Sequence, residues 1–401
     1  MRPTGTVLPT VRLKAGHVQP VWMGHPWVYA QAVDRVEGGA TAGDEVGVVD
    51  PRGNFLGRGF YSPGSAIPVR LLVRDDTTRL DAAFFRSRIE RALRLRASLG
   101  LPSAQTTGFR LIHAEGDGLP GLIVDRYDDV LAVQLGTIGL KLREADVLDA
   151  LWGLAAPRAI VDRTSGNTAK AEKFTAASGV VRGDEGLKSL DFLERGLRFR
   201  IPLELGQKTG FYFDQRQLRA RVEQLAHGRR VLDAYSFVGA FAMAAARGGA
   251  TEVLAVDESA LAIEVGAELA SLNGVGDKVK FAKRDARHAL AEAKGEFDLV
   301  IADPPRLAPT RGARDQALIA YAKLAENACR ATRPGGFLVF CSCSAAVDLT
   351  ALTRALAQGA TRANVQATVL ERWFQGADHP VPSAFGEGLY LKALVVHVEA
   401  R

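Results

Sequence analysis

After about residue 205, short apolar runs alternate with helical stretches along this 401-residue chain. The runs lack the polar alternation of half-exposed strands, which is typical of parallel strands buried on both faces. Because each run is followed by a helical stretch, the pattern predicts an α/β domain with a mostly parallel sheet over residues 196–401. The runs are RRVLDAYS, EVLAVDES, VKFAKRDA, FDLVIADPP and GGFLVFCSCS.

The first half of the chain has a different organisation. Residues 1–75 contain short strand-like runs broken by glycine and proline, and the segment GDEVGVVDPRGNFLGRGFYSP predicts two strands around a turn at Pro51–Gly53. Such closely spaced strands predict a small β-barrel. Residues 76–195 mix strands and helices in an α+β style, with a hairpin expected at Asp128–Asp129. Three domains are therefore expected.

Residues 84–100, FFRSRIERALRLRASLG, predict an amphipathic helix in this middle segment. Apolar side chains recur at helical spacing at Phe85, Ile89, Ala92 and Leu93. The opposite face is expected to be basic, and it either contacts RNA or is simply solvated. Its arginines are Arg86, Arg88, Arg91, Arg94 and Arg96.

Composition narrows the class of protein. An apolar fraction of 47% and a charged fraction of 24% are those of a soluble globular chain. Neither a signal peptide nor an apolar run long enough to span a bilayer is evident, so a cytoplasmic location is expected. Three cysteines make a disulfide framework improbable, and a net charge of +6 favours an anionic partner.

Acidic residues end four of the apolar runs, namely Asp233, Asp257, Asp285 and Asp303. In open parallel sheets the ligand lies beyond the carboxyl ends of the strands. One acid can accept hydrogen bonds from both ribose hydroxyls, which suits Asp257, and Asp285 is placed to bind an adenine amino group. A strand-end aspartate more often caps a helix, but four in register favour a nucleoside cofactor.

The first strand-to-helix turn bears on which cofactor is bound. Gly239 allows close backbone approach at the start of the helix. A dinucleotide needs further glycines to expose N–H groups to its pyrophosphate, and Ser236 and Phe237 occupy those positions. S-adenosyl-L-methionine carries no phosphate, so the turn favours it.

Several motifs together resemble one family. They are GQKTGFYFDQRQLR, VLDAYSFVGAFA, AVDES, ADPP, CSCS and ADHP…EGLYLK, with RLKAGHVQPVWMGHPWVYAQAV, GRGFYSPGS and FRLIHAEGDGLPGLIVDRY before them. In these residues the chain is similar to the RlmI-like bacterial 23S rRNA methyltransferases. The resemblance implies a Rossmann-like class I methyltransferase domain preceded by a PUA-like RNA-binding domain and a central α+β domain.

The same resemblance implies methyl transfer from S-adenosylmethionine to 23S rRNA, free or in a large-subunit assembly intermediate, with cytosine C5 the best-known target. By this resemblance Phe213, Asp214 and Arg216 would hold the methionine end of the cofactor and Asp257 its ribose. From their positions at the strand ends and the first turn, Asp233, Gly239 and Asp285 are expected to line the rest of that site. A second copy of the chain is a further candidate partner. Arg306 departs from the lysine that is common after the two prolines.

Cytosine C5 is a poor nucleophile, so its methylation requires a thiolate to add to C6 first. Strand alternation places Cys341 and Cys343 on one face, with Cys343 nearer the carboxyl end and, as the family arrangement implies, beside Asp303. Cys343 is then the nucleophile and Asp303 supports the N3 edge of the base. Cys341 and Cys329 are expected in the core, and no metal site is expected.

Two other functions remain open. Guanine N7 has its own lone pair and needs no covalent nucleophile, and an RNA-binding assembly factor needs no working cofactor site. Four other residues each have two possible roles. Trp22, His25 and Trp27 either stack on RNA bases or pack inside the small barrel. His379 either orients a loop near the site or has a purely structural role.

Overall fold

The computed structural model describes residues 8–205, 209–308 and 311–401. Residues 206–208, which begin the GQKTGFYFDQRQLR motif, and Pro309, at the end of the ADPPRLAP stretch, lie outside the described residues. The chain forms two compact units. The first comprises Met1–Phe192, Pro202–Phe211 and Ala377–Gly388, and the second comprises Leu193–Ile201, Tyr212–Gly376 and Leu389–Arg401.

The first unit begins with a six-stranded sheet of order β2-β6-β5-β4-β1-β3. The expected turn is confirmed, because β4 and β5 pair antiparallel around it and Gly53 takes the left-handed φ of +91° that glycine tolerates. These elements are β1 Thr10–Leu13, α1 Val18–Trp22, β2 Trp27–Val28, β3 Val33–Glu37, β4 Glu45–Val49, β5 Phe55–Tyr61 and β6 Val69–Val73.

The same unit continues with a five-stranded sheet of order β11-β10-β9-β8-β7. The hairpin expected at Asp128–Asp129 is confirmed, because Tyr127 pairs with Val130 across it. The elements are α2 Ala82–Ser98, β7 Gly108–His113, β8 Leu122–Tyr127, β9 Val130–Leu135, α3 Ile138–Lys141, α4 Glu144–Ala155, β10 Ala159–Asp162, α5 Gly166–Glu172 and β11 Gly179–Gly183. A two-stranded sheet of β12 Ser189–Glu194 and β13 Leu197–Pro202 follows in the chain, and its residues Leu193–Ile201 belong to the second unit.

Helix α2 is the basic amphipathic helix expected from its spacing. The Asp81 carboxylate caps its first turn by accepting from the Phe84 N–H, and Phe85 and Ile89 are buried in the core of the first unit. The expectation for Arg96 is wrong: this side chain is 1% exposed and lies inside the unit. Its guanidinium forms two hydrogen bonds with the Asp117 carboxylate, a partner that makes burial tolerable.

The second unit is built on a seven-stranded sheet of order β16-β15-β14-β17-β18-β20-β19. Strands β14 to β18 run parallel, and β20 is antiparallel to both of its neighbours. The elements are α6 Arg216–Leu225, β14 Arg230–Ala234, α7 Ala240–Arg247, β15 Glu252–Asp257, α8 Ala260–Leu272, β16 Val279–Lys283, α9 Ala286–Glu292, β17 Phe297–Ala302, α10 Arg314–Ala331, β18 Thr332–Ser342, α11 Leu349–Ala363, β19 Val365–Trp373 and β20 Lys392–Ala400.

Helices cover both faces of this sheet, as the uninterrupted apolar strands predict. Residues of α9, α10 and α11 share one buried cluster with alternate residues of the central strands, while α7 and α8 pack against β14, β15 and β16. The chain order reverses between β14 and β17, which makes the carboxyl ends of these two strands the switch point where a ligand binds in such sheets. No helix among the described residues is long and apolar enough to cross a membrane.

Candidate active site

The loop that follows β14 has an unusual backbone. Tyr235 and Phe237, with φ of +65° and +52°, lie in the left-handed region, as does Gly239 at +76°. Side chains other than glycine occupy that region at a cost of roughly 1–3 kcal/mol each, and such residues cluster at ligand sites. The loop therefore has the geometry of a binding turn at the switch point of the sheet.

Asp233 lies at the base of this loop and is 1% exposed. One carboxylate oxygen accepts from the Ala242 N–H at 3.0 Å, at the start of α7. Among the described residues, its Oδ1 and the Ser236 hydroxyl have no hydrogen-bond partner although both are buried. Burial raises the pKa of Asp233 to about 8, so its carboxyl is largely protonated at neutral pH and can donate to a polar ligand.

Asp257 is the last residue of β15, the neighbour of β14, and is half-buried. One carboxylate oxygen accepts from the Phe237 N–H at 2.9 Å and the other from the Ser259 N–H at 2.9 Å. The residue thus ties the strained loop to the adjacent strand end. Each oxygen keeps a lone pair for a further donor such as a ribose hydroxyl.

Asp285 and Gly239 each have a clear structural role. The Asp285 carboxylate caps α9 by accepting from the Arg287 and His288 N–H groups, and it also pairs with the Arg287 guanidinium. A Cβ atom on Gly239 would lie 2.6 Å from the Phe281 ring. Local packing thus requires glycine there even without a ligand.

Phe213 and Asp214 lie in the turn before α6 and Arg216 is the first residue of that helix; all three side chains are buried. The Asp214 carboxylate accepts from the Tyr390 hydroxyl at 2.6 Å, and its carbonyl accepts from the Gly376 N–H. Tyr390 belongs to the EGLYLK motif, so two separate motifs meet at this position.

Asp303 follows β17, on the other side of β14, and its carboxylate accepts from the Gln215 amide at 2.8 Å. The Tyr212 hydroxyl lies among the acids: burial raises its pKa first, and nearby negative charges raise it further. Those charges belong to Asp303, Asp214, Cys343 and Asp257. The structure therefore brings Asp303 and Cys343 into the same polar centre as the acids expected to bind the cofactor.

Cys343 lies one residue past the end of β18 and is partly exposed, whereas Cys341 is fully buried. Burial above all raises the pKa of the Cys341 thiol well above its ordinary value, which makes it a poor nucleophile. Strands β17 and β18 are neighbours, as expected, but the pairing of Ala302 with Phe340 puts Asp303 level with Cys341. Cys343 lies two residues further along the chain than Cys341, after the last residue of β18.

A hydroxyl network holds the backbone around Cys343. The Ser342 hydroxyl donates to the Tyr321 hydroxyl at 2.8 Å, which also contacts the Ser344 hydroxyl at 3.2 Å. Ser344 in turn accepts from the Ala308 N–H, so the loop after Asp303 and the loop after Cys343 are tied together. Sequence reasoning missed these residues, although the serines flank both cysteines of CSCS and could have signalled such a network.

The remaining expectations concern the first unit. The Trp27 ring packs edge-on against Phe385 with centroids 4.6 Å apart, and His25 is buried, which supports the packing interpretation for both. Trp22 is 74% exposed. His379 is buried and its Nδ1 contacts the Asp378 carboxylate at 3.1 Å. No group of acids, histidines and cysteines within the described ranges could hold a metal ion.

Comparison with known proteins agrees with this geometry. Residues 11–74 match the model of a PUA-like domain, and residues 163–382 match that of an S-adenosylmethionine-dependent methyltransferase. A crystal structure of SMU.776, described as a methyltransferase and solved with SAH, covers 97% of this chain and 99% of its own at a TM-score of 0.84 and 19% identity. A methyltransferase structure from Streptococcus mutans has a TM-score of 0.83 at 18% identity and also covers 97% of this chain and 99% of its own.

The fold and the site together define a class I S-adenosylmethionine-dependent methyltransferase, and its cofactor is S-adenosyl-L-methionine. The buried polar atoms of Asp233 and Ser236 that have no hydrogen-bond partner among the described residues fit a polar ligand at this loop. The chain is 36% identical to ribosomal RNA large subunit methyltransferase I of Shewanella denitrificans, over 97% of this chain and 99% of that protein. It is 35% identical to the protein of the same name from Erwinia tasmaniensis, over 97% of this chain and 100% of that protein. The chain belongs to this methyltransferase family.

From its expected role as the ribose ligand, replacement of Asp257 by alanine is predicted to weaken binding of S-adenosylmethionine about five- to a hundredfold, because two hydrogen bonds to the ribose, each worth roughly 0.5–1.5 kcal/mol, would be lost. Isothermal titration calorimetry measures the affinity. Glu258→Ala is the matched control, since it removes the same charge from the exposed neighbouring residue. Equal affinities for the wild type and a folded Asp257→Ala would place the ribose elsewhere.

Proposed function

We propose that this protein methylates cytosine C5 in 23S rRNA through a covalent adduct with Cys343. The observation that carries the proposal is the position of Cys343: a partly exposed thiol one residue beyond β18, in the same polar centre as Asp303 beyond the adjacent strand β17. The relatives that cover nearly the whole chain are named for methylation of large-subunit rRNA, which supports the substrate class.

The chemistry assigns one role to each residue. The Cys343 thiolate forms a bond to C6, and the electrons of the C5=C6 double bond make C5 nucleophilic. Asp303, which takes up a proton when the base binds, hands that proton to N3. When bound, the cofactor would supply an electrophilic methyl group, and C5 would bond to that methyl as the methyl–sulfur bond breaks and its electron pair remains on the cofactor's sulfur. A base then removes the C5 proton, the electrons of that C–H bond re-form the C5=C6 double bond, and the electron pair of the S–C6 bond returns to sulfur. The N3 proton returns to Asp303, and the thiolate and the methylated base are released.

The cofactor contacts follow from the same centre. We assign Asp257 to the ribose hydroxyls, Asp285 to the adenine amino group, and Phe213, Asp214 and Arg216 to the methionine end. Asp233 and Gly239 shape the loop after β14. Two observations support this: the Asp233 carboxylate accepts from the Ala242 N–H, and the Phe281 ring leaves no room for a side chain at Gly239.

The three expected domains receive separate roles in this proposal. Residues 1–75 bind RNA and residues 196–401 carry out methyl transfer, while residues 76–195 connect these two domains. Exposed arginines on α2, namely Arg86, Arg91 and Arg94, support an RNA-facing surface next to the PUA-like domain in sequence. The proposed compartment is the cytoplasm, where bacterial ribosomal RNA is found.

Mass spectrometry of 23S rRNA nucleosides, from cells with and without the gene, tests the function. Deletion is expected to remove one 5-methylcytidine, which returns with a plasmid copy of the wild type or Cys341→Ala but not of Cys343→Ala. Loss of 7-methylguanosine in place of 5-methylcytidine would assign the protein to guanine N7, and an unchanged nucleoside profile would contradict an rRNA substrate.

A further inference from the structure

A buried lysine lies beside the proposed nucleophile. Lys392 is the first residue of β20 and pairs with Ser342 across the antiparallel β18–β20 ladder. Its side chain is inside the second unit, with the whole residue only 3% exposed, and its Nζ donates to the Ser344 carbonyl at 2.8 Å. The ammonium group is therefore held at the residue immediately after Cys343.

Lysine is among the residues least often buried, and its desolvation is costly unless a nearby group compensates. One carbonyl satisfies one of the three N–H donors. The negative charge of Cys343 stabilises the ammonium form, as does Asp348, whereas Arg306 opposes it. Because the interaction between two charges is mutual, the ammonium group stabilises the Cys343 thiolate to the same extent.

The surroundings of Cys343 make such a cation chemically useful. Asp303 and Cys343 both act to raise the pKa of Tyr321 and of Cys341, which shows that the carboxylate and the thiol share one neighbourhood. A carboxylate disfavours a second negative charge near it and so disfavours the thiolate. A nucleophile in this position needs a positive group nearby.

From this geometry we infer that Lys392 is the positioning residue that holds Cys343 in its thiolate form and fixes the loop that carries it. The inference rests on the proposed role of Cys343 as nucleophile. Burial lowers the pKa of Lys392 to about 8, close to the ~8.5 of an ordinary thiol. With that pKa the Lys392 side chain is mainly an ammonium group at neutral pH, so its positive charge stabilises the thiolate that forms when the thiol proton leaves to solvent.

Alkylation of Cys343 by iodoacetamide, in the RNA-free protein and across a range of pH, measures the thiolate directly. Mass spectrometry counts the label on Cys343, and Cys343→Ser sets the background from Cys329 and Cys341. Lys392→Met is expected to move the pH midpoint of alkylation upward by about one unit, so labelling at neutral pH slows about tenfold. Lys392→Arg keeps the charge and is expected to leave the midpoint near that of the wild type.

Lys323→Met is the matched control, because that lysine lies on α10 with its side chain 60% exposed and is expected to leave the midpoint unchanged. Methionine in place of a buried ammonium group commonly preserves the fold, and the thermal midpoint of unfolding checks this. An unchanged alkylation midpoint in a folded Lys392→Met, or equal midpoint shifts in Lys392→Met and Lys392→Arg, would overturn the inference.

Alkylation needs neither RNA nor cofactor, so it separates the two proposals. If Lys392→Met shifts the midpoint while Cys343→Ala still methylates RNA, the pairing of lysine and thiolate stands and the cytosine mechanism falls. If Cys343→Ala is inactive and the midpoint is unmoved, the mechanism stands and Lys392 has only a structural role.

Discussion

RNA that carries 5-fluorocytosine at the target position becomes covalently trapped on the wild-type protein, and Cys343→Ala forms no such adduct. After methyl transfer C5 holds fluorine in place of the removable proton, so the thiolate cannot be released. Methyl transfer to ordinary RNA is expected to fall by about 10³-fold or more in Cys343→Ala, since loss of a catalytic nucleophile has cost up to ~10⁶ in a protease. Denaturing gel electrophoresis detects the adduct, and transfer of labelled methyl groups measures the rate.

The control for this experiment is Cys341→Ala, which removes the other cysteine of the CSCS motif. Cys341 is fully buried and burial holds its pKa well above that of an ordinary thiol, so its removal is expected to leave adduct formation intact. Methylation at the wild-type rate by Cys343→Ala would refute the covalent mechanism, and guanine N7 would become the leading target because its lone pair needs no nucleophile.

Replacement of Asp117 by alanine is expected to lower the free energy of unfolding by about 3–5 kcal/mol, because it leaves the buried Arg96 guanidinium without its carboxylate. The two side chains are 1% and 2% exposed and share hydrogen bonds of 2.5 and 2.8 Å. The Asp117 carboxylate also accepts from the His113 N–H at 2.6 Å. Urea unfolding followed by circular dichroism measures the loss.

Asp184→Ala provides the comparison, since it breaks an ion pair with Arg158 in which both side chains are well exposed. Such surface pairs contribute about 0–1 kcal/mol. Arg96→Met combined with Asp117→Leu is expected to cost less than the sum of the single changes, because no unpaired charge stays buried. A loss below 1 kcal/mol in Asp117→Ala would show that water or a rearranged neighbour satisfies Arg96.

Much of the candidate site was predictable because its signals are local. An apolar run that ends in an acid marks a strand tip wherever the strand later pairs, so Asp233, Asp257, Asp285 and Asp303 could be found without a structure. Helical spacing likewise located α2 and its buried residues. The preference for Cys343 over Cys341 followed from distance along one strand.

Arg96 is a residue whose burial the local sequence pattern could not predict. Its place among five arginines predicts a solvated side chain, and only a carboxylate 21 positions away reverses that. The sequence also could not decide the role of Asp285, because a strand-end aspartate can either bind a ligand or cap a helix. Whether it caps the helix depends on the direction of the following backbone N–H groups, which only the structure shows.

The sequence by itself determined the class of the sheet, the acids at its strand tips and the identity of the accessible cysteine, since period and composition act over a few residues. Only the tertiary structure decided the strand order, in which β20 lies antiparallel beside β18 and brings Lys392 to Ser344. It also decided the meeting of Asp214 with Tyr390 and of Tyr321 with the two serines around Cys343. These contacts join residues far apart in the chain, and their formation depends on how separate elements pack, which no local pattern encodes.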